Sequence, residues 1–262
     1  MDHVELESAI TGGARLRRML QARLERWSFL HYDGSIAASR YLEHEIRRVQ
    51  LPGTRSLPIL YLPFAFDPAV CRAEGNQVDA ARLESLGRKT ITYMGGLYAS
   101  YGVRELIAAY LGSPALCRGS RLVFFGQGPE IDFIRSQPSQ PGEGAWIEYG
   151  GFLDESDLIN RLFASDVLVS PLRDTVQDWA RCPSKTYVYM ATRRPIVTAP
   201  VGENREALGD LGFYYQPGAV ESLTHALERA LAAGPELPYE LAAHTWAART
   251  ERFVQWWEKE FA

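Results

Sequence analysis

The chain has no long hydrophobic run. Its longest uninterrupted apolar stretch, Leu106–Leu111, falls far short of the roughly 20 residues that a membrane-spanning helix needs. No basic segment followed by an apolar core opens it, so no secretory signal is visible and a cytoplasmic location is expected. Cysteine is scarce: Cys71, Cys117 and Cys182 are odd in number and scattered, which suits a reducing compartment. His3, His31, His44, His225 and His244 lie far apart, and no metal-ligand spacing appears among them. Positive charge is not in excess. A net charge of −4 gives no electrostatic basis for binding nucleic acid. Lysine is nearly absent: of 28 cationic residues only Lys89, Lys185 and Lys259 are lysine. That bias says little about function, but it draws attention to a lysine inside a motif.

What is present is the composition of a folded, soluble chain. Hydrophobic residues make up 46% and charged residues 23%, and 262 residues suffice for one large or two modest domains. From residue 90 onward, short β-branched and aromatic runs alternate with stretches of helical spacing. The strand candidates are Ile91–Met94, Leu122–Phe125, Val167–Val169, Pro195–Thr198 and Phe213–Tyr215. Val103–Leu111 reads as a helix with Val103, Leu106, Ile107 and Tyr110 on one face. Asp154–Ala164 is another, with Asp154 as N-cap and Leu158, Ile159, Leu162 and Phe163 as its stripe. A third spans Val220–Ala233. Near-continuous apolar strands between amphipathic helices predict an α/β fold, a doubly wound parallel sheet of Rossmann-like type.

The ends read differently. Ala14–Trp27 is an arginine-rich helix, Gly34–Ala38 a short strand, Arg40–Val49 a helix, Leu51–Pro58 turn-rich and Ile59–Leu62 a strand. One or two strands are too few to close a core of their own. Apolar positions such as Leu30, Ile36, Tyr41 and Ile46 are therefore expected to stay partly uncovered, promoting self-association or recruiting a partner chain. Tyr239–Phe261 reads as a long helix whose Trp246, Phe253, Trp256 and Trp257 dock it on a domain surface.

Several turns carry chemistry. Gly95-Gly96 directly follows a strand, where backbone can approach a diphosphate closely. Gly126-Gln-Gly128 occupies the same kind of turn one unit later. The alternative for all four glycines is a tight left-handed turn and nothing more. In Arg181-Cys-Pro-Ser-Lys185, Pro183 suits the first turn of a helix, whose free N–H groups would face an anion while Lys185 adds a point charge. The alternative role for Lys185 is a solvated cation on a helix.

These segments occur in a telling order. They are Tyr61-Leu-Pro-Phe-Ala-Phe-Asp-Pro68, Ile91-Thr-Tyr-Met-Gly-Gly-Leu97 with Gly102, and Leu122-Val-Phe-Phe-Gly-Gln-Gly-Pro-Glu130. Gly150-Gly-Phe152 then leads through Asp166–Pro171 to Pro183–Ala191, Arg194–Val197 and Gly202. Together they resemble the donor-binding half of the group 1 (family 4) nucleotide-sugar glycosyltransferases of GT-B type, over roughly residues 34 to 260. The resemblance implies two Rossmann domains across a cleft, and a sugar transferred from a nucleotide sugar to a saccharide or lipid-linked acceptor. It implies retention of configuration, no metal, and no cofactor beyond the nucleotide-sugar substrate. It also implies donor contacts from Gly95, Gly96, Gly126, Gly128, Gly151, Phe152, Arg181 and Lys185, with Gly151 and Phe152 beside the base. Burial in a core is the competing role for Phe152.

Two departures from the family pattern stand out. Its two glutamates, eight positions apart, fall on Ala180 and Val188, with Asp178 as a nearby substitute for the first. Its arginine and lysine for the diphosphate fall on Gly96 and Tyr101. Residues 1–66 are short for an acceptor domain and read as its remnant with the linker. Residues 67–238 form the nucleotide-sugar domain, and 239–262 a helix returning toward the N-terminal part. No catalytic residue is nominated. The missing carboxylates favour a second reading, a non-catalytic nucleotide-sugar-binding or scaffolding subunit. A dinucleotide-dependent oxidoreductase is disfavoured, because no Gly-x-Gly-x-x-Gly turn with a following acidic residue is present.

Overall fold

The computed structural model describes residues 2–3, 15–50, 57–139 and 144–262. Ala14 and residues 51–56 of the turn-rich stretch lie outside these. Three short parallel strands, β1 (Asp2–His3), β2 (Ser35–Ala37) and β3 (Ile59–Tyr61), form one sheet in the order β1-β2-β3. That is one strand more than expected. The helices α1 (Arg15–His31) and α2 (Arg40–Val49) connect them, and Ser39 caps α2 by accepting from the Leu42 amide.

Six further strands make the main sheet: β4 (Lys89–Met94), β5 (Ser120–Phe125), β6 (Ile147–Gly151), β7 (Val167–Ser170), β8 (Ile196–Thr198) and β9 (Phe213–Tyr214). All pair in parallel, in the order β6-β5-β4-β7-β8-β9. This is the doubly wound arrangement, with the direction of winding reversing between β4 and β7. Period-2 alternation splits the strand residues between two cores. Ile91, Tyr93, Leu122, Phe124, Val167 and Val169 pack under α4 (Val103–Leu111) and α11 (Val220–Ala232). Leu168 and Ile196 face α7 (Glu155–Ala164) and α9 (Ser184–Ala191) on the other side. Asp154 caps α7 through the Asp157 amide, as its position predicts.

The chain ends meet. The segment from Tyr239 is not helical throughout: Thr245 caps a helix α12 that begins only at Trp246 and runs to Phe261. Its start is stitched to the linker by Phe66 N–H to the His244 carbonyl (3.1 Å) and Trp246 N–H to the Phe66 carbonyl (3.2 Å). Arg249 Nε donates to the Pro63 carbonyl at 3.0 Å, and Arg252 to that of Tyr61 at 2.9 Å. Trp256 and Phe261 close over Gly34. Contrary to expectation, Ile46 is fully buried, together with Phe29, Ala37 and Leu42. Ala180, from the short helix α8 (Val176–Ala180), completes that small core. A residue of the main domain thus supplies what the short sheet lacks. Leu30 remains exposed, as do Leu16, Leu20, Leu24 and Trp27 of α1.

Candidate functional site

Open α/β sheets bind ligands outside the carboxyl ends of their strands, where the strand order reverses. Here that point lies between β4 and β7, and a cavity of about 320 Å³ opens at it. Phe64, Gly96, Tyr101, Pro171, Arg181 and Lys185 are in its wall, and among the described residues no carboxylate lines it. Among the described residues no group of His, Cys, Asp and Glu is gathered that can hold a metal ion.

The β4 turn contributes backbone. The Gly95 N–H donates to the Phe125 carbonyl at 3.0 Å, and the Leu97 N–H to that of Gln127 at 2.8 Å. Of the Gly95-Gly96 pair, only the Gly96 amide is left for a ligand. Gly126 and Gly128 explain themselves otherwise. A Cβ on Gly126, where φ is +138°, would overlap the Gly95 carbonyl oxygen, and one on Gly128 would overlap that of Leu97. The two turns lie backbone against backbone, so these glycines permit contact between loops.

The opposite wall is the start of α9. Pro183 is its N-cap rather than part of its first turn. The amides of Ser184 and Lys185 therefore have no carbonyl one turn back, the usual state of a helix start. Lys185 reaches across to β4: its Nζ is 4.3 Å from the Tyr93 ring centroid and 2.7 Å from where a Cβ on Gly95 would lie. No hydrogen bond or ion pair holds this ammonium among the described residues. Burial, and after it the nearby Arg181 charge, together push its pKa down to about 7.

Arg181 lies with its guanidinium carbon 4.9 Å over the Tyr101 ring and one Nη 2.7 Å from Asp178 Oδ1. Asp178 is buried and also accepts from the Arg173 amide at 2.7 Å; burial raises its carboxyl pKa against the opposing pull of Arg181. The carboxylate nominated as a glutamate substitute is thus committed to the Arg181 side chain and the β7 loop. It is not in the cavity wall. Ala180 is buried against α2, and Val188 packs on the second core.

Of the eight candidates, Gly96, Arg181 and Lys185 line the cavity and Gly95 abuts Lys185. Gly126, Gly128, Gly151 and Phe152 do not line it. Phe152 is 69% exposed, which overturns its burial in a core. Gly151 accepts from the Gly126 amide at 3.0 Å, tying the β5 and β6 turns together.

Sequence reasoning missed the wall's other side. Phe64 comes from the linker, and its amide donates to Cys182 Sγ at 3.3 Å. Behind it the buried Glu203, on α10 (Gly202–Leu208), accepts from the Tyr61 and Tyr187 hydroxyls and the Arg40 amide. Its only sequence signal is a Gly-Glu pair opening a helix after a strand.

The family model for glycosyl transferases group 1 matches residues 88–233, more than half of the chain. No curated protein sequence matches. Among solved structures, a sucrose-phosphate synthase from Thermosynechococcus elongatus is 16% identical, with a TM-score of 0.71 over 99% of this chain and 66% of that one. HepE of Anabaena, solved in complex with UDP, is 17% identical, with a TM-score of 0.69 over 98% of this chain and 69% of that one. An α,α-trehalose-6-phosphate synthase from Burkholderia multivorans is also 17% identical, with a TM-score of 0.62 over 98% and 62%. The chain therefore spans about two thirds of the length of the structures it resembles. Their fold and its own match over residues 88–233 lead to one conclusion: this chain belongs to the group 1 glycosyl transferases.

Proposed function

We propose that the chain is the donor-binding portion of a glycosyltransferase, holding the diphosphate of a nucleotide sugar in the β4–β7 cavity. One observation carries this reading: a cavity at the switch point, in a group 1 chain, walled among the described residues by two cations and no carboxylate. Lys185, the Gly96 amide and the first amides of α9 converge there, and each favours an anion. The UDP held by HepE, a protein of the same fold, fits this reading. Hard divalent cations favour carboxylate oxygens, and the described wall carries the cations Arg181 and Lys185 with no carboxylate, so binding is proposed to be metal-independent. Residues 1–66 belong to the acceptor side and the linker, 67–238 to the nucleotide-sugar domain and 239–262 to the returning helix.

Titrating UDP and GDP by calorimetry, with and without chelator, tests the proposal. Weak binding indifferent to chelator is expected. Binding that vanishes with chelator refutes metal independence, and no binding of either refutes the site.

A second reading has its own support. With Ala180 and Val188 at the glutamate positions and Asp178 committed elsewhere, nothing in the wall can accept a hydrogen bond from a sugar as a carboxylate does. On that reading the chain is a non-catalytic nucleotide-sugar-binding subunit that acts with a partner. A transferase assay on the purified chain separates the two.

A further inference from the structure

The amine of Lys185 has a chemical capacity that anion binding does not use. The other two lysines are exposed and partnered: Lys89 donates to the Leu231 carbonyl, and Lys259 pairs with Glu260 at 2.8 Å. Lys185 has neither a hydrogen bond nor an ion pair among the described residues, and it sits in the wall of a cavity large enough for a small molecule. The groups facing it are the Tyr93 ring beneath, Tyr101 and the Arg181 guanidinium across the cavity, and the neighbouring Cys182. The Asp178 carboxylate is already paired with Arg181. The Tyr93 ring face favours the ammonium form, while burial and the Arg181 charge favour the amine and outweigh it.

We propose that Lys185 is a carbonyl-reactive amine, poised to condense with a small phosphorylated aldehyde held in the β4–β7 cavity. The phosphate has a place: Arg181 Nε is buried without a hydrogen-bond partner, and the Ser184 and Lys185 amides open α9 beside it. The proposal rests on the anion-binding part of the functional reading and on nothing concerning sugar transfer. In the step itself, the Nζ lone pair attacks the carbonyl carbon, forming an N–C bond as the C=O π bond opens. The carbinolamine then loses a nitrogen proton and its hydroxyl as water, leaving a C=N bond. Amine and aldehyde give imine and water, and no oxidant or reductant enters. A neutral amine is required for attack, and a pKa near 7 keeps about half of it neutral at neutral pH.

Pyridoxal 5′-phosphate is the probe. The full chain is incubated with it, reduced with borohydride and mapped by peptide mass spectrometry. Because the chain holds three lysines, the map is unambiguous. Modification concentrated on Lys185, absent from Lys185→Arg and slower with pyridoxal lacking the phosphate, is the expected result. Label spread evenly over Lys89, Lys185 and Lys259, or missing from Lys185 in the wild-type chain, overturns the proposal. Label on Lys185 that excess UDP fails to block still supports the reactive amine, while it sinks the nucleoside diphosphate reading.

Discussion

Replacing Gly126 with alanine should damage the molecule twice over. Its φ of +138° is a conformation that a side chain rarely adopts, and a Cβ there would overlap the Gly95 carbonyl oxygen and lie 2.9 Å from its carbon. The backbone strain is worth about 1–3 kcal/mol. Overpacking adds about 1–3 kcal/mol, and the obstacle is backbone, with no flexible side chain to swing aside. The sum is about 2–6 kcal/mol, which lowers Tm by roughly 4–24 °C at about 2–4 °C per kcal/mol for a domain of this size. Two other glycines separate the causes. Gly151 has φ of +93° but nothing within 4 Å of its Cβ position, so Gly151→Ala carries strain alone, about 1–2 kcal/mol. Gly119 has open space and no left-handed φ, so Gly119→Ala should be nearly neutral. Urea and thermal unfolding followed by circular dichroism rank the three. The Gly126 variant should also bind UDP more weakly, because relieving the overlap moves Gly95 and Gly96. If Gly126→Ala costs no more than Gly151→Ala, the two turns are not in contact and the account of both glycine pairs fails.

Lys185→Ala should weaken nucleoside diphosphate binding by about 1–2 kcal/mol, with nucleoside and monophosphate barely changed; equal losses for all three by calorimetry would mean a damaged fold. Since its pKa is lowered to about 7, wild-type affinity should fall as pH rises through that value, and Lys185→Arg should abolish the fall. Burial raises the Glu203 pKa above its ordinary 4.5, so its ionised form costs stability at neutral pH, and the cost is relieved as pH drops through the raised value. Between neutral pH and about 5, Glu203→Gln should therefore gain less Tm, or lose more, than wild type in paired thermal melts. Leu16, Leu20, Leu24 and Trp27 expose an apolar stripe on α1, so light scattering should show mass rising with concentration, and Leu20→Glu with Leu24→Glu should stop it. A wild-type chain that stays monomeric throughout would sink that expectation.

The main sheet was legible because its strands are buried on both faces and read as continuous apolar runs between Gly, Ser and Pro. β6 was not. Its residues include Glu148 and end in Gly150-Gly151, and only Ile147 is buried, as suits an edge strand. The Gly-x-Gly pattern at Gly126 and Gly128 looks the same in sequence whether it cradles phosphate or lets one turn lean on another. Only the position of the Gly95 and Leu97 carbonyls separates the two. The site was half legible. Lys185 and Gly96 follow from local motifs, whereas Phe64 lines the cavity and Glu203 backs that wall through contacts across more than a hundred residues of chain. No local pattern reports such contacts. The competing core role of Phe152 fails for a related reason: an aromatic after a strand is normally covered, and here no described element covers it.

A wall without a carboxylate has little to read a sugar with. In this cavity all charge sits where a diphosphate would lie, on Lys185 and on an Arg181 half-neutralised by Asp178. The rest of the described wall is Phe64, Gly96, Tyr101, Pro171, Cys182 and Pro183, together with Ser170 and Ser184. A sugar attached to the diphosphate would find no charged acceptor for its hydroxyls. Each charge-assisted hydrogen bond is worth about 1.5–3 kcal/mol, so a wall that keeps one should prefer the nucleotide sugar over the nucleotide by roughly tenfold or more. This wall should not. UDP and UDP-sugars are expected to bind with nearly equal affinity, and sugars of different hydroxyl configuration should be poorly distinguished. Calorimetric Kd ratios for UDP, UDP-glucose and UDP-galactose measure this directly. A single UDP-sugar bound more than about tenfold tighter than UDP would show that a sugar-reading group exists, and that this description of the cavity wall is wrong.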